Sequence, residues 1–127
     1  MGRSQREDAQ ADRIERFDAL YGAKMTYLFD SRGQHIANLI GDQLHAPSGR
    51  NIGHLMKNQG IFIDMHGHYL GEIVAGNRLM YDRSSGYQSM NFGSYGDYGN
   101  AGNYGNPGNA GSIGSIGGHD DVDTDWL

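Results

Sequence analysis

The residues best placed to do chemistry in this chain fall into three groups. His66 and His68 form a His-x-His pair. On an extended strand that spacing puts both imidazoles on one face, where they could hold a metal ion with Asp64 as a third ligand. Asn38, His54 and Glu72 occupy the same place in three similar phrases, Ile36-Ala37-Asn38-Leu39, Ile52-Gly53-His54-Leu55 and Leu70-Gly71-Glu72-Ile73. A ring closing those phrases would bring the three side chains towards a common axis. A neutral histidine beside a desolvated glutamate is equipment for acid/base work or for holding a small ligand. Equally, polar residues on the solvent face of a half-buried sheet need no function. Asp121, Asp123 and Asp125 alternate ahead of Trp126 and Leu127. The aspartates imitate the opening of a calcium loop but lack the Gly and Glu positions it requires. Acidic residues closed by an aromatic and an aliphatic side chain suit docking into an apolar pocket with a basic rim, or simply aid solubility.

Composition narrows these options. The chain has no cysteine, which removes thiolate catalysis, disulfides and cysteine-ligated zinc together. No nucleophile elbow, phosphate loop or glycosidase-like carboxylate pair occurs, so an enzyme is the minority reading. No catalytic residue, metal or cofactor is expected. Residues 1–24 hold five basic and five acidic side chains, and residues 25–83 another five of each. The net charge of −5 therefore comes from residues 84–127, where five aspartates meet no lysine or arginine. A core without a basic stripe is not expected to bind nucleic acid directly. There is no apolar run of 18 residues and no secretory leader, so the expected compartment is the cytoplasm, away from membranes.

The elements that must position these groups come from an internal repeat. Tyr27-Leu28-Phe29-Asp30-Ser31-Arg32-Gly33, Leu44-His45-Ala46-Pro47-Ser48-Gly49, Phe62-Ile63-Asp64-Met65-His66-Gly67 and Met80-Tyr81-Asp82-Arg83-Ser84-Ser85-Gly86 each read as a short apolar strand ending in a turn. The turn glycines lie 16, 18 and 19 residues apart, about the length of one β-hairpin. In this alignment His66 and His68 flank the turn glycine where Arg32/Gln34 and Ser48/Arg50 occur, which favours exposed turn residues over a metal site. Hairpins this short must share a core, expected at Ile36, Ile52 and Leu70 with Leu39, Leu55 and Ile73.

The strand phrase alternating with the Asp-x-x-Gly turn (30–33, 64–67 and a stretched 82–86) resembles the small bacterial four-fold β-flower domains, in which hairpin petals surround a pseudo-four-fold axis. The resemblance covers residues 25–87 and implies a fold, with no catalytic role or shared ligand. The second repeat departs from the pattern, with Ala46 for the turn aspartate and Ala37 for glycine, which implies a distorted petal.

The flanks read differently. Within 1–24, Ser4 and Glu7 have capping-box spacing, Ile14, Phe17 and Tyr21 make a narrow apolar stripe, and Gly22 suits a stop, so one amphipathic α-helix is expected. Residues 88–118 are low-complexity, with nine glycines from Gly93 to Gly117 at intervals of three. Too little proline is present for collagen. A flexible linker is expected, with a polyglycine-II-like packing or a weakly self-associating Tyr/Asn/Gly tract as alternatives. Residues 119–127 form an acidic-aromatic peptide whose last eight residues, from Asp120, resemble the acidic C-terminal tip of bacterial single-stranded-DNA-binding proteins, which implies Asp121, Asp123, Asp125, Trp126 and Leu127 as a tethered contact for a partner protein with a basic, apolar pocket. The expected protein is mainly β: four hairpin repeats about a pseudo-four-fold axis, an N-terminal helix and a glycine-rich tail, acting as a non-catalytic interaction or assembly module. The alternative is a small-ligand binder or enzyme that uses Asn38, His54 and Glu72.

Overall fold

The computed structural model describes residues 25–127. The expected N-terminal helix lies outside the described residues. The described chain is mainly β, with no helix among its residues. Eight strands run in chain order: β1 (Met25–Phe29), β2 (His35–Ile40), β3 (Gln43–His45), β4 (Asn51–Met56), β5 (Ile61–Asp64), β6 (Tyr69–Val74), β7 (Arg78–Asp82) and β8 (His119–Asp121). Neighbours pair antiparallel. A parallel pairing of Phe29 with Arg78 then closes β1 onto β7 as a seven-stranded barrel. The Phe29 amide donates to the Asn77 carbonyl there at 2.9 Å.

Three hairpins share one irregularity that explains the apolar-small phrase. Phe29 faces His35 but Leu28 faces Ala37, leaving Ile36 as an extra residue in β2. Ile52 in β4 and Leu70 in β6 are extra in the same way. Such a bulge sets two residues against one. Ile36 and Ala37 accordingly both enter the same core cluster, which also takes Ile52 and against which Leu70 packs partly buried. The second residue must be small: a Cβ at Gly71 would lie 2.6 Å from the Met80 carbonyl oxygen, and one at Gly53 would strike that of Ile63. Along the ladders, Leu28, Ala37, Leu39, Leu44, Leu55, Phe62 and Leu79 share the inner face and are buried. Of the six core positions expected from the repeat, Ile36, Leu39, Ile52 and Leu55 are buried in this cluster, and Leu70 and Ile73 are partly buried against it.

At one end of the barrel the turns repeat atom for atom. The amides of Asp30, Ala46 and Asp64 donate to the carbonyls of Gln34, Arg50 and His68 at 3.0, 2.8 and 2.8 Å. The Asp30 and Asp64 carboxylates each take two further turn amides. The second turn keeps the backbone bonds without a carboxylate, and the His45 imidazole Nδ1 binds the Gly49 carbonyl at 2.8 Å instead. The distortion that Ala46 implied is therefore absent from its backbone hydrogen bonds.

Residues 88–118, expected as a linker, lie against the barrel as a belt. From Gly93 to Gly114 the glycines recur at positive φ, and in seven triplets the glycine amide donates to the Asn, Asp or Ser side chain two residues before it. These successive Asx-type turns give the segment its own local hydrogen bonding. Phe92, Ala101 and Ala110 donate their amides to the carbonyls of Gly67, Gly49 and Gly33, each at 2.9 Å. The contacts advance nine residues along the belt for every turn passed, and nine more lead to His119, which pairs with Asp82. Gly33, Gly49 and Gly67 are required twice over, since each has φ near +90° to +104° and the belt fills the space a Cβ would need.

Residues 119–127 return to the closed barrel. β8 pairs with Met80, Tyr81 and Asp82 of β7, and the Asp121 carboxylate takes the Ser31 amide and hydroxyl, both at 2.7 Å. Val122 is buried in the main core, and Trp126 packs against it while its indole Nε1 donates to the Ile36 carbonyl at 2.7 Å.

Candidate functional site

The bulges decide where the three equivalent polar residues point. Because Ile36 and Ala37 both turn inward and Leu39 follows inward two places later, Asn38 faces out, and the same parity applies to His54 and Glu72. They sit on the outer face of strands β2, β4 and β6, away from the common axis that a closed ring of the three phrases suggested. Each meets a different environment. Asn38 is buried, with its Oδ1 2.6 Å from His35 Nε2. His54 is buried, with Nδ1 2.6 Å from Gln43 Oε1. Glu72 is half-buried, 3.7 Å from His119 Nε2.

Over His54 the belt lays two tyrosines. The rings of Tyr95 and Tyr98 each meet the imidazole edge-on, with centroids 5.7 Å away. His54 Nε2 is buried without a hydrogen-bond partner. Burial pushes the imidazole below its usual 6.5, against the opposing pull of Asp97 and the Gly96 backbone. A histidine lowered in this way contributes stability that is present above pH 6.5 and is lost as pH falls through its folded value. Urea titrations across that window should therefore show wild type weakening with acid more steeply than His54→Gln. Parallel curves for the two proteins would exclude His54 as the sensor.

The C-terminal residues are distributed between structure and surface. Asp121 holds the first turn, and Trp126 is half-buried on its own core. Leu127 is 56% exposed. Asp123 and Asp125 line a cleft of about 380 Å³ with Asp64, Asp97, Arg50 and His66, so carboxylates gather around the tryptophan. A second cleft, of about 600 Å³, opens between the first two turns and the belt, lined by His35, Pro47, Asn106 and Leu127 among others. It contains none of Asn38, His54 and Glu72. His66 and His68 are exposed turn residues whose amides bind Asp64, and the His68 imidazole lies 3.9 Å from that carboxylate.

Sequence reasoning missed the belt as a surface. Tyr95, Tyr98 and Tyr104 are 50, 64 and 43% exposed although the chain is held at Tyr98 by its amide to Asn51 Oδ1 and at Tyr104 by its carbonyl to the Tyr27 hydroxyl, and the Tyr95 ring rests on His54. The signal was available: Asn, Asp or Ser precedes each triplet glycine by two positions from Asn91 to Ser115. No family model, curated protein or solved structure matches this chain.

Proposed function

We propose that this protein is a non-catalytic interaction module: a hairpin-petal barrel of the four-fold β-flower kind that presents its tyrosine belt to a basic protein partner in the cytoplasm. The observation that carries this reading is the row of exposed tyrosines on a fixed backbone. Aromatic rings that are already ordered lose little conformational freedom on binding, which is what makes tyrosine effective in contact surfaces. The uniform nine-residue step of the belt supports the four-petal reading, with Asp82 and β8 as the fourth station. The inner face of the barrel is lined by buried apolar side chains, among them Leu28, Leu39, Leu44 and Phe62, which favours contact by the surface. The net charge of −5 favours a basic partner. Docking by the C-terminal tip belongs to the same proposal: Leu127 with Asp123 and Asp125 can contribute from their exposed positions.

The test is capture from the source cell by immobilised full-length protein, compared with Tyr95→Ser/Tyr98→Ser/Tyr104→Ser and with Leu127→Ser. Leu127 is exposed, so the melt of Leu127→Ser should stay close to wild type, whereas Tyr95 and Tyr98 also cover His54 and the melt of the triple variant establishes that it is folded. The triple variant should lose its partner by about tenfold or more, the scale of an interface anchor cluster. Identical proteins recovered at identical yield by all three would defeat the belt and the tip together. Loss with Leu127→Ser alone would move the contact to the tip.

A further inference from the structure

We propose that Glu72, Asp82 and His119 form a binding site for a divalent transition-metal ion of the zinc class, where β8 returns to the barrel. The register creates the cluster. Glu72 pairs with Met80, Asp82 stands two residues further along the same face of β7, and His119 pairs with Asp82. Three neighbouring strands thus turn one donor each to one spot, and one ligand atom from each lies within 4.8 Å of the others. Glu72 Oε1 and His119 Nε2 are 3.7 Å apart. Tetrahedral zinc ligands sit about 3.3 Å apart, so side-chain rotation closing gaps of up to about 1.5 Å would complete the set.

Two further features distinguish this cluster from a chance gathering of acids. His119 Nδ1 lies 2.9 Å from the Gly117 carbonyl. A carbonyl only accepts, so Nδ1 carries the hydrogen, and Nε2, the atom aimed at the carboxylates, is the one left to bind a metal through its lone pair. A hydrogen bond of this kind on the far ring nitrogen fixes the tautomer and orientation of metal-binding histidines. The carboxylates of Glu72 and Asp82 are themselves half-buried and close together, so their charges repel. A divalent cation would relieve that repulsion, and the imidazole donor favours a transition metal over magnesium or calcium. His66, His68 and Asp64 are a poorer set. Asp64 Oδ1 is engaged by two amides, and His68 is 58% exposed at its side chain with Nε2 beside Asn91. Bound metal would tie β6, β7 and β8 together and so fasten the end of the belt. The inference is independent of the docking proposal.

Full-length protein stripped with chelator would be titrated with zinc(II) by calorimetry and with cobalt(II) by visible absorption. A single equivalent should bind and raise the melting temperature. His119→Ala and the near-isosteric Glu72→Gln should each weaken binding by about tenfold or more and reduce the cobalt ligand-field bands. His66→Ala/His68→Ala should bind as wild type does. Melts without metal establish that the variants are folded. Absence of binding by folded wild type, or affinity unchanged in both Glu72→Gln and His119→Ala, would overturn the site, as would loss of binding confined to the His66/His68 variant.

Discussion

Arg78→Met is expected to lower the unfolding free energy by about 3 kcal/mol. The guanidinium is buried where β7 meets β1, and it ties three parts of the molecule together. Nη1 donates to the Asp30 carbonyl of the first turn at 3.0 Å and to the Gly111 carbonyl of the belt at 2.6 Å. Nη2 reaches the Ala110 carbonyl at 3.3 Å, and Nε reaches Asn77 Oδ1 at 3.0 Å. The Phe29 ring lies beneath, 6.0 Å from centroid to Cζ. Methionine keeps the apolar stem but leaves these acceptors without their donor. Lysine keeps the charge on a single nitrogen that cannot span the same fork, so Arg78→Lys should cost about 1–2 kcal/mol. Urea denaturation followed by circular dichroism measures both. Chymotrypsin adds a local readout, because a released belt should be cut after Tyr104 before the barrel unfolds. A methionine variant within about 0.5 kcal/mol of wild type, with its belt still protected, would mean that water replaces the guanidinium.

How far this architecture could be read in advance depends on the range of the interaction. The turns at 30–33 and 64–67 are local, each set by an aspartate, two amides and a glycine at positive φ, and they stand out in the sequence. Ile36, Ile52 and Leu70 with Leu39, Leu55 and Ile73 were legible as core because the repeat places them three apart each time. That same spacing concealed the face of Asn38, His54 and Glu72. In a regular strand, residues three apart point to opposite sides. Here both point inward because of the bulge, and the polar residue between them is turned out. The small residue after Ile36, Ile52 and Leu70 was the visible trace of this crowding.

The belt was misread for a different reason. Nine glycines at a spacing of three suggest high backbone entropy when considered alone. The Asn, Asp and Ser side chains that cap the glycine amides restrict that freedom locally, and each third triplet then finds a turn glycine on the barrel. Both conditions are needed, and the second depends on a match between a nine-residue step and the spacing of the turns in space. Nothing in residues 88–118 alone specifies that match. The same applies to Arg78 and to the site at Glu72, Asp82 and His119, whose members are brought together by the return of β8 across more than thirty residues of belt.

Trp126→Ala is expected to cost about 2–3 kcal/mol, somewhat less than the usual loss for a fully buried tryptophan because this one is half-buried. Its indole hydrogen bond ends on the carbonyl of Ile36, the residue that the bulge sets outside the regular ladder, so Trp126→Phe should cost about 1 kcal/mol for the bond alone. As the sole tryptophan, it reports on its own release: emission should shift to the red in urea before or with the loss of β-structure. The plug also constrains docking by the tip. A partner that takes the indole must first free it, and about 2–3 kcal/mol of self-packing would weaken the apparent affinity about 30- to 150-fold relative to an unhindered peptide. Trp126 therefore favours packing on its own core over capture of a partner, and the exposed tyrosines can bind without that competition. Titrating a captured partner while following tryptophan emission separates the two modes. Saturation with the emission unchanged is expected for contact by the belt; a red or blue shift that tracks binding, and that is stronger in a variant whose plug is already loosened, would transfer the contact to the tip.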